Sequence, residues 1–517
     1  MILRAASLIV AALFAAPLGY LALRNAGHAG EFASVVSSGS ALGALARTIV
    51  LATSVAVSAA VVGTLAAWLV VRTDLPWRRV WRVLLPLPLV IPSFIGAFAL
   101  IAAFAPGGLL ARAGVGDLPQ ARGFWAAFAV LTLLTYPYVY LPAAARLKRL
   151  PSSLEESARL LGHGGARTFV AVVLPQVRGA VLAGALLVFL YTLSDFGAVQ
   201  LLRYDTLTPT IYSTRLLDSS TSLALSLELG LIALVVVAAE RFFAPRRFVE
   251  ESRGRGLAVP LGRWLAPAFA FVGGLVALAL ASPVVVLSWW AWRGLTSDSS
   301  RASSVAADPG RLLEPALNTA YVSVLAAALA IVVVLPIAYL TVRRRGPVAE
   351  LANAVVVSGF ALPGLAIALA LVYWTLGAPG PIGSAYQTLT LLVFAYVVHF
   401  GAQTLRTAQV AVAGVPRGLE EAASSLGARR LRRQARVELP LMLPGLLAGG
   451  GLVLLSTMKE LPATLLLAPP GFETLATEIW TSTEDAFLAD ASIASLVLIA
   501  LSAGLTWLLV LRTEQAP

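Results

Sequence analysis

Cysteine is absent from the 517-residue chain, which excludes disulfides, thiolate metal sites and thiol catalysis. Lysine is nearly absent. Lys148 and Lys459 are the only two, and neither stands in a G-x-x-x-x-G-K-[ST] loop that would cradle nucleotide phosphates. The chain therefore has no phosphate loop with which to hydrolyse ATP. Charged residues make up 12%, against about 25% in a soluble protein. The three histidines, His28, His163 and His399, do not fall at metal-ligand spacing, and no nucleophile motif or paired carboxylates suggest an enzyme. What fills the chain instead is apolar: 59% of residues, with a mean hydropathy of +0.85. No soluble fold keeps that much apolar surface dry, so the chain reads as a polytopic membrane protein.

A helical span needs about 20 mostly apolar residues. Such runs occur near 6–23, 49–71, 83–104, 123–144, 176–195 and 222–240, then near 265–289, 317–341, 351–375, 386–405, 441–458 and 490–511. Between the two sets lies a basic stretch, 241–264, containing Arg246, Arg247, Arg253 and Arg255. The first run shows no convincing small-residue cleavage site before Arg24 and is expected to be a retained helix, not a signal peptide. The net charge of +12 would suggest nucleic acid if it formed one patch. It is scattered between apolar runs. With the N-terminus placed inside, 28 of the 38 basic residues fall in the inner loops, so the positive-inside rule puts both termini in the cytoplasm.

The chain also repeats itself. Pro151 to Gly162 parallels Pro416 to Gly427 at an offset of 265, and from 150 to 184 identity holds at 14 of 35 positions. Asp195-Phe-Gly-Ala198 faces Glu460-Leu-Pro-Ala463, and Asp205-Thr-Leu207 faces Glu473-Thr-Leu475 after a short insertion. The expected architecture is all-α, with about twelve transmembrane helices in two halves, 1–240 and 265–517. Six spans separate the repeated loops. An even number makes the repeat parallel, not inverted.

Each repeated loop, 151–175 and 416–440, reads as a short helix. Ser152 and Ser153 stand three residues before Glu155 and Glu156, a capping-box pattern with carboxylates where the helix dipole favours them. Gly162 and Gly427 stand where a C′ glycine ends a helix, and each following span is expected to open at Leu174-Pro175 or Leu439-Pro440. One such helix is a linker. Two matched, acidic-tipped helices on one face suit a partner with two-fold or pseudo-two-fold symmetry.

These residues resemble a family. Glu156-Ser-Ala158, Gly162, Val172 and Leu174-Pro175, and again Glu421-Ala422-Ala423, Gly427, Val437 and Leu439-Pro440, match the EAA loop of ABC importer permeases. The departures are Ser157 for alanine and valine for isoleucine in both copies. The resemblance covers essentially the whole chain and implies a type I importer permease of the bacterial inner membrane. It implies that Glu155, Glu156, Ala158, Gly162, Glu420, Glu421, Ala422, Ala423 and Gly427 couple to two copies of a cytoplasmic ABC ATPase. ATP and magnesium would be bound there, with no cofactor on this chain. An external binding protein would deliver substrate to the opposite face, and no nucleic acid is involved.

For substrate, the stretches Ser194 to Asp205 and Met458 to Ala476 resemble the ferric-iron subgroup, with thiamine, phosphonate or polyamine as alternatives. Asp195, Lys459 and Glu460 near the outer span ends are candidate pathway residues, without amounting to a metal site; local pairing in the wet interface explains them equally. His399, inside a span, reads as a packing residue. Twelve spans in two parallel halves also describes a secondary transporter. The doubled EAA loop and the scarcity of mid-membrane ionisable residues argue against that.

Overall fold

The computed structural model describes residues 2–112, 120–243, 259–296, 304–344 and 346–506. Among these the secondary structure is helical, and one isolated bridge pairs Thr73 with Val259. Most of the basic linker, including Arg246, Arg247, Arg253 and Arg255, lies outside the described residues, as do Arg345 and Arg512.

Among the described residues, ten helices are long and apolar enough to cross a membrane. In the first half they are Leu3–Ala26, Gly39–Arg72, Gly123–Arg149, Phe169–Ser194 and Ser219–Ala239. In the second they are Gly262–Thr296, Gly310–Arg343, Leu389–Gly414, Gln434–Met458 and Leu488–Leu505. The two remaining runs are bent pairs, Arg78–Val90 with Ser93–Phe104 at 93° and Pro347–Ala361 with Gly364–Gly377 at 105°. Each breaks at a proline, Pro92 or Pro363, which has no N–H to donate and disfavours helix in the residue before it.

Contacts within each half show that a bent pair counts as one transit. Arg72, at the end of its span, donates to Leu150 O just beyond the end of Gly123–Arg149. Two spans thus run toward the same face, and only the bent pair lies between them to carry the chain back. Arg343 donates to Val412 O and Val415 O at the end of Leu389–Gly414, which repeats the argument. Counted in this way, the described residues make up to twelve transits.

Proline also shapes the spans that stay whole. The helix does not open at Leu174-Pro175 or Leu439-Pro440, as the sequence suggested. It runs in from Gly165 and from Arg430 through one π turn, Phe169–Val173 or Gln434–Glu438, ending immediately before each Leu-Pro. A third π turn, Ala277–Ala281, stops before Ser282-Pro283. The wider turn makes room where the ring would strike the carbonyl four residues back. Backbone groups therefore stay paired inside the helix, as a lipid surround demands.

By packing the chain divides into two compact units that do not coincide with the sequence halves. One comprises Met1–Ala41, Thr210–Leu234 and Gly294–Pro517. In it the first span packs on Gly310–Arg343 and on both arms of the second bent pair, with Asn25 Nδ2 donating to Leu223 O. The other comprises Leu42–Pro209 and Val235–Arg293. There the first span of the second half lies against the first bent pair: Trp81 meets Phe269 edge-on, Trp290 Nε1 donates to Ala102 O and Arg293 Nη1 to Gly107 O. In the same unit Tyr136, fully buried, donates its hydroxyl to Leu85 O just before the first break.

Close helix contacts rest on small residues, as expected without a hydrophobic drive between helices. A Cβ added at Gly184 would lie 2.6 Å from Tyr138 O and 2.7 Å from Val139 Cα, both backbone atoms. Gly184→Ala is therefore expected to cost about 1–3 kcal/mol, seen as a lower denaturation midpoint of the purified protein. An unchanged midpoint would show that these two spans slide apart freely.

Candidate functional site

The repeated loops fold as short helices, Ser152–Leu160 and Arg417–Ser425. Glu155 does not reach back to cap its own helix. It turns toward Arg72, 3.3 Å away, and the Arg72 and Glu155 side chains are buried at 2% and 4% exposure. In the second copy Pro416 occupies the N-cap with no side-chain cap bond. Glu420 makes the corresponding contact with Arg343 at 2.6 Å, with 20% and 18% exposure. The capping box is thus replaced by an ion pair to a neighbouring span.

The C-terminal ends explain the alanine-to-glycine spacing. His163 N donates to Ala158 O at 3.0 Å, and Ala428 N donates to Ala423 O at 3.0 Å. Gly427 N adds a bond to Ser424 O. This is the Schellman arrangement, in which the left-handed residue stands four positions after the residue whose carbonyl is capped. Gly162 and Gly427 are left-handed at φ +83° and +79°, a region that costs a side-chain-bearing residue about 1–2 kcal/mol. Ala158 and Ala423 are buried, whereas Glu156, Glu421 and Ala422 are exposed. Each helix therefore shows its second glutamate to solvent while the first glutamate and the inner alanine hold it to the body.

Behind this shared frame the two copies differ. In the first, Trp68 packs on Phe169, centroids 5.2 Å apart. In the second, Tyr339 stands where Trp68 does and donates to Glu438 Oε2, whose other oxygen accepts from Arg433 Nε. Arg433 Nη1 also reaches Ser424 on the helix itself. A solvent-open cavity of about 690 Å³ lies here, lined in part by Arg343, Arg344, Arg417, Glu420, Glu421 and Arg433. One helix is mounted on a dry joint, the other on a wet one.

The three candidate pathway residues separate. Asp195 is buried, and its Oδ1 accepts from the amides of Ala198 (3.0 Å) and Val199 (3.3 Å). That is the work of a helix cap. Glu460 and Lys459 are half-buried, and Lys459 is partnered. Among the described residues no group of three or more His, Cys, Asp or Glu could hold a metal ion.

Arg72 and Arg343 are the functional residues that sequence reading missed; it counted them only as inner-loop charges. A signal existed. Thr48 and Thr319, Arg72 and Arg343, and Pro92 and Pro363 are matched pairs at a second offset, 271. The two threonines also act alike in the structure, since Thr48 Oγ1 accepts from Leu207 N and Thr319 Oγ1 from Leu475 N.

Burial decides how much each ion pair is worth. Arg72→Met strands a buried carboxylate and is expected to cost about 3–5 kcal/mol. Arg343→Met leaves Glu420 partly hydrated, and a loss of ~1 kcal/mol is expected. Equal losses in chemical denaturation of the two variants in detergent would contradict the difference in burial.

The family profile described as "Binding-protein-dependent transport system inner membrane component" matches the chain twice, over residues 59–249 and 330–513. The chain is 31% identical over 466 residues to the Fe(3+)-transport system permease protein FbpB 2 of Haemophilus influenzae, covering 89% of this chain and 87% of that one. It is 25% identical over 417 residues to the "Probable ABC transporter permease protein y4fN" of Sinorhizobium fredii, covering 76% and 73%. To the sulfate transport system permease protein CysT of Salmonella typhimurium it is 28% identical over 170 residues, covering 33% of this chain and 61% of that one. With both halves matched, the chain belongs to the family of binding-protein-dependent transport system inner membrane components, a permease subunit that is not itself an enzyme.

Proposed function

We propose that this chain is the complete membrane pathway of an ATP-driven importer of ferric iron, spanning the inner membrane with both termini in the cytoplasm. The observation that carries the cargo is the match along 89% of the chain to a permease named for Fe(3+) transport. Counting each bent pair as one transit puts six between the two EAA helices, which supports a common side for both, the side to which the positive-inside rule assigns 28 of the 38 basic residues. The fused halves already supply two docking helices. One chain then engages two copies of an ABC ATPase, on which magnesium and ATP act, and an external binding protein delivers iron to the far side.

Geometry supports a way for the ATPases to work the pathway. Glu156 and Glu421 face solvent and are free to meet a partner. Glu155 and Glu420 grip the arginine at the end of a long span, and Arg72 and Arg343 in turn hold carbonyls at the end of another. A push on either helix therefore reaches two spans through one guanidinium. Each arginine brings a planar fork of donors that a lysine lacks.

Uptake of radiolabelled ferric iron should fall in iron-limited cells lacking this chain and return when it is restored, with thiamine uptake unchanged. Iron uptake that persists in the deletion strain, with no redundant importer, would move the cargo to thiamine, phosphonate or another small solute. Glu156→Arg with Glu421→Arg should lower ATP-dependent uptake at least about tenfold, equivalent to 1.4 kcal/mol of coupling, while the protein still inserts. Unchanged uptake and unchanged copurification of the ATPase would remove the docking role.

A further inference from the structure

The two halves treat their broken helices differently. In the first half the helix Ser93–Phe104 begins with a serine, and Asp195 Oδ1 accepts from the amides of Ala198 and Val199. Leu134 fills the space beside this helix: a Cβ on Gly96 would lie 2.5 Å from Leu134 Cδ1.

In the second half the helix Gly364–Gly377 begins with glycine where the first half has Ser93. A Cβ at Gly364 would lie 2.5 Å from Glu460 Oε1 and 2.9 Å from His399 Nδ1. The missing side chain is therefore what lets a carboxylate and an imidazole converge on one point. His399 stands in the repeat at the position of Leu134. Its ring lies 4.2 Å from that of Phe400, and its Nδ1 has no hydrogen-bond partner. Glu460 Oε1 takes one long amide contact, Ala463 N at 3.4 Å, in place of the two closer ones at Asp195. Both residues are half-buried, and His399 Nδ1 itself is closed to solvent.

An oxygen and a nitrogen donor that meet against one glycine, the nitrogen buried and without a hydrogen-bond partner, form a ligand pair for a metal cation. Two donors are too few for a resident metal, and the partnered Lys459 next to Glu460 adds a like charge that weakens retention. Both features suit a site that must release what it binds, since conduction needs binding weak enough for the ion to leave. We propose that Glu460 and His399 form a transit site for the metal cation in the second half, with no counterpart in the first. The proposal rests on the reading of ferric iron as cargo.

The test uses the whole transporter in proteoliposomes, with its ATPase and binding protein, measuring radiolabelled ferric-iron uptake and ATP hydrolysis together. Glu460→Gln and His399→Leu should each lower iron delivered per ATP hydrolysed by about tenfold, the loss of one charge-assisted contact. His399→Leu installs the first half's own residue, so the fold should tolerate it. Gly364→Ala, which drives a methyl between the two donors, should act in the same direction, and Glu460→Asp should recover part of the loss. Unchanged iron per ATP in Glu460→Gln and His399→Leu overturns the proposal while leaving the cargo intact. A wild-type transporter that carries no ferric iron overturns the cargo reading and the proposal with it. Uptake and hydrolysis that fall in proportion, with assembly intact, overturn the transit site and leave these residues as supports of the broken helix.

Discussion

Inside a bilayer no water is available to a stray backbone amide or carbonyl, and this chain is organised around that shortage. Long helices answer it for most of the length. At three prolines, Pro175, Pro283 and Pro440, a π turn stands directly ahead and the span stays whole, while Pro17, Pro142, Pro336 and Pro444 are carried inside helices without one. Where the chain must break outright, at Pro92 and Pro363, freed groups and short helices find polar side chains nearby, with Asp195 and Glu460 among them. Carboxylates thus stand beside the places where the helix cannot continue, and broken helices are places where a polar cargo can be handled.

The repeat keeps the frame and lets its chemistry drift. Thr48 and Thr319 receive the same kind of amide, and Arg72 and Arg343 close the same joint. Between these fixed points Trp68 has become Tyr339, Ser93 has become Gly364 and Leu134 has become His399. Of the three changes, only Leu134 to His399 goes from a buried apolar side chain to a half-buried polar one. Two helices that look interchangeable in sequence are held by a dry ion pair in one copy and by a hydrated network in the other. A partner pushing equally on both meets unequal resistance.

Much of this is legible in the amino-acid order alone. The count of spans, the parallel repeat and the short helices ending at Gly162 and Gly427 follow from apolar length, a constant offset and one glycine each. The alanine-to-glycine spacing is visible as a pattern, but its cause, a Schellman bond from Ala158 and Ala423, needs the backbone. Other features are hidden because they join distant segments. Glu155 looks like half of a capping box, since its local neighbours offer that bond; Arg72, far away in sequence, offers a stronger one. His399 reads as packing on its own helix and acquires donors beside it only when Gly364 and Glu460 are brought up. The division expected at 1–240 and 265–517 follows the sequence repeat, whereas packing mixes segments of both halves into each compact unit.

That mixing has a consequence for how the protein is made. Leu3–Ala26 leaves the ribosome well before the helix Pro347–Ala361 on which it packs, which lies more than 300 residues downstream. At ordinary elongation rates of about 5–20 residues per second it waits on the order of tens of seconds in the membrane without that neighbour. Two separate half-size chains would have to find each other during that interval by diffusion. Fusion delivers the missing neighbour on the same polypeptide, so assembly becomes a matter of synthesis order, independent of how many copies the cell holds.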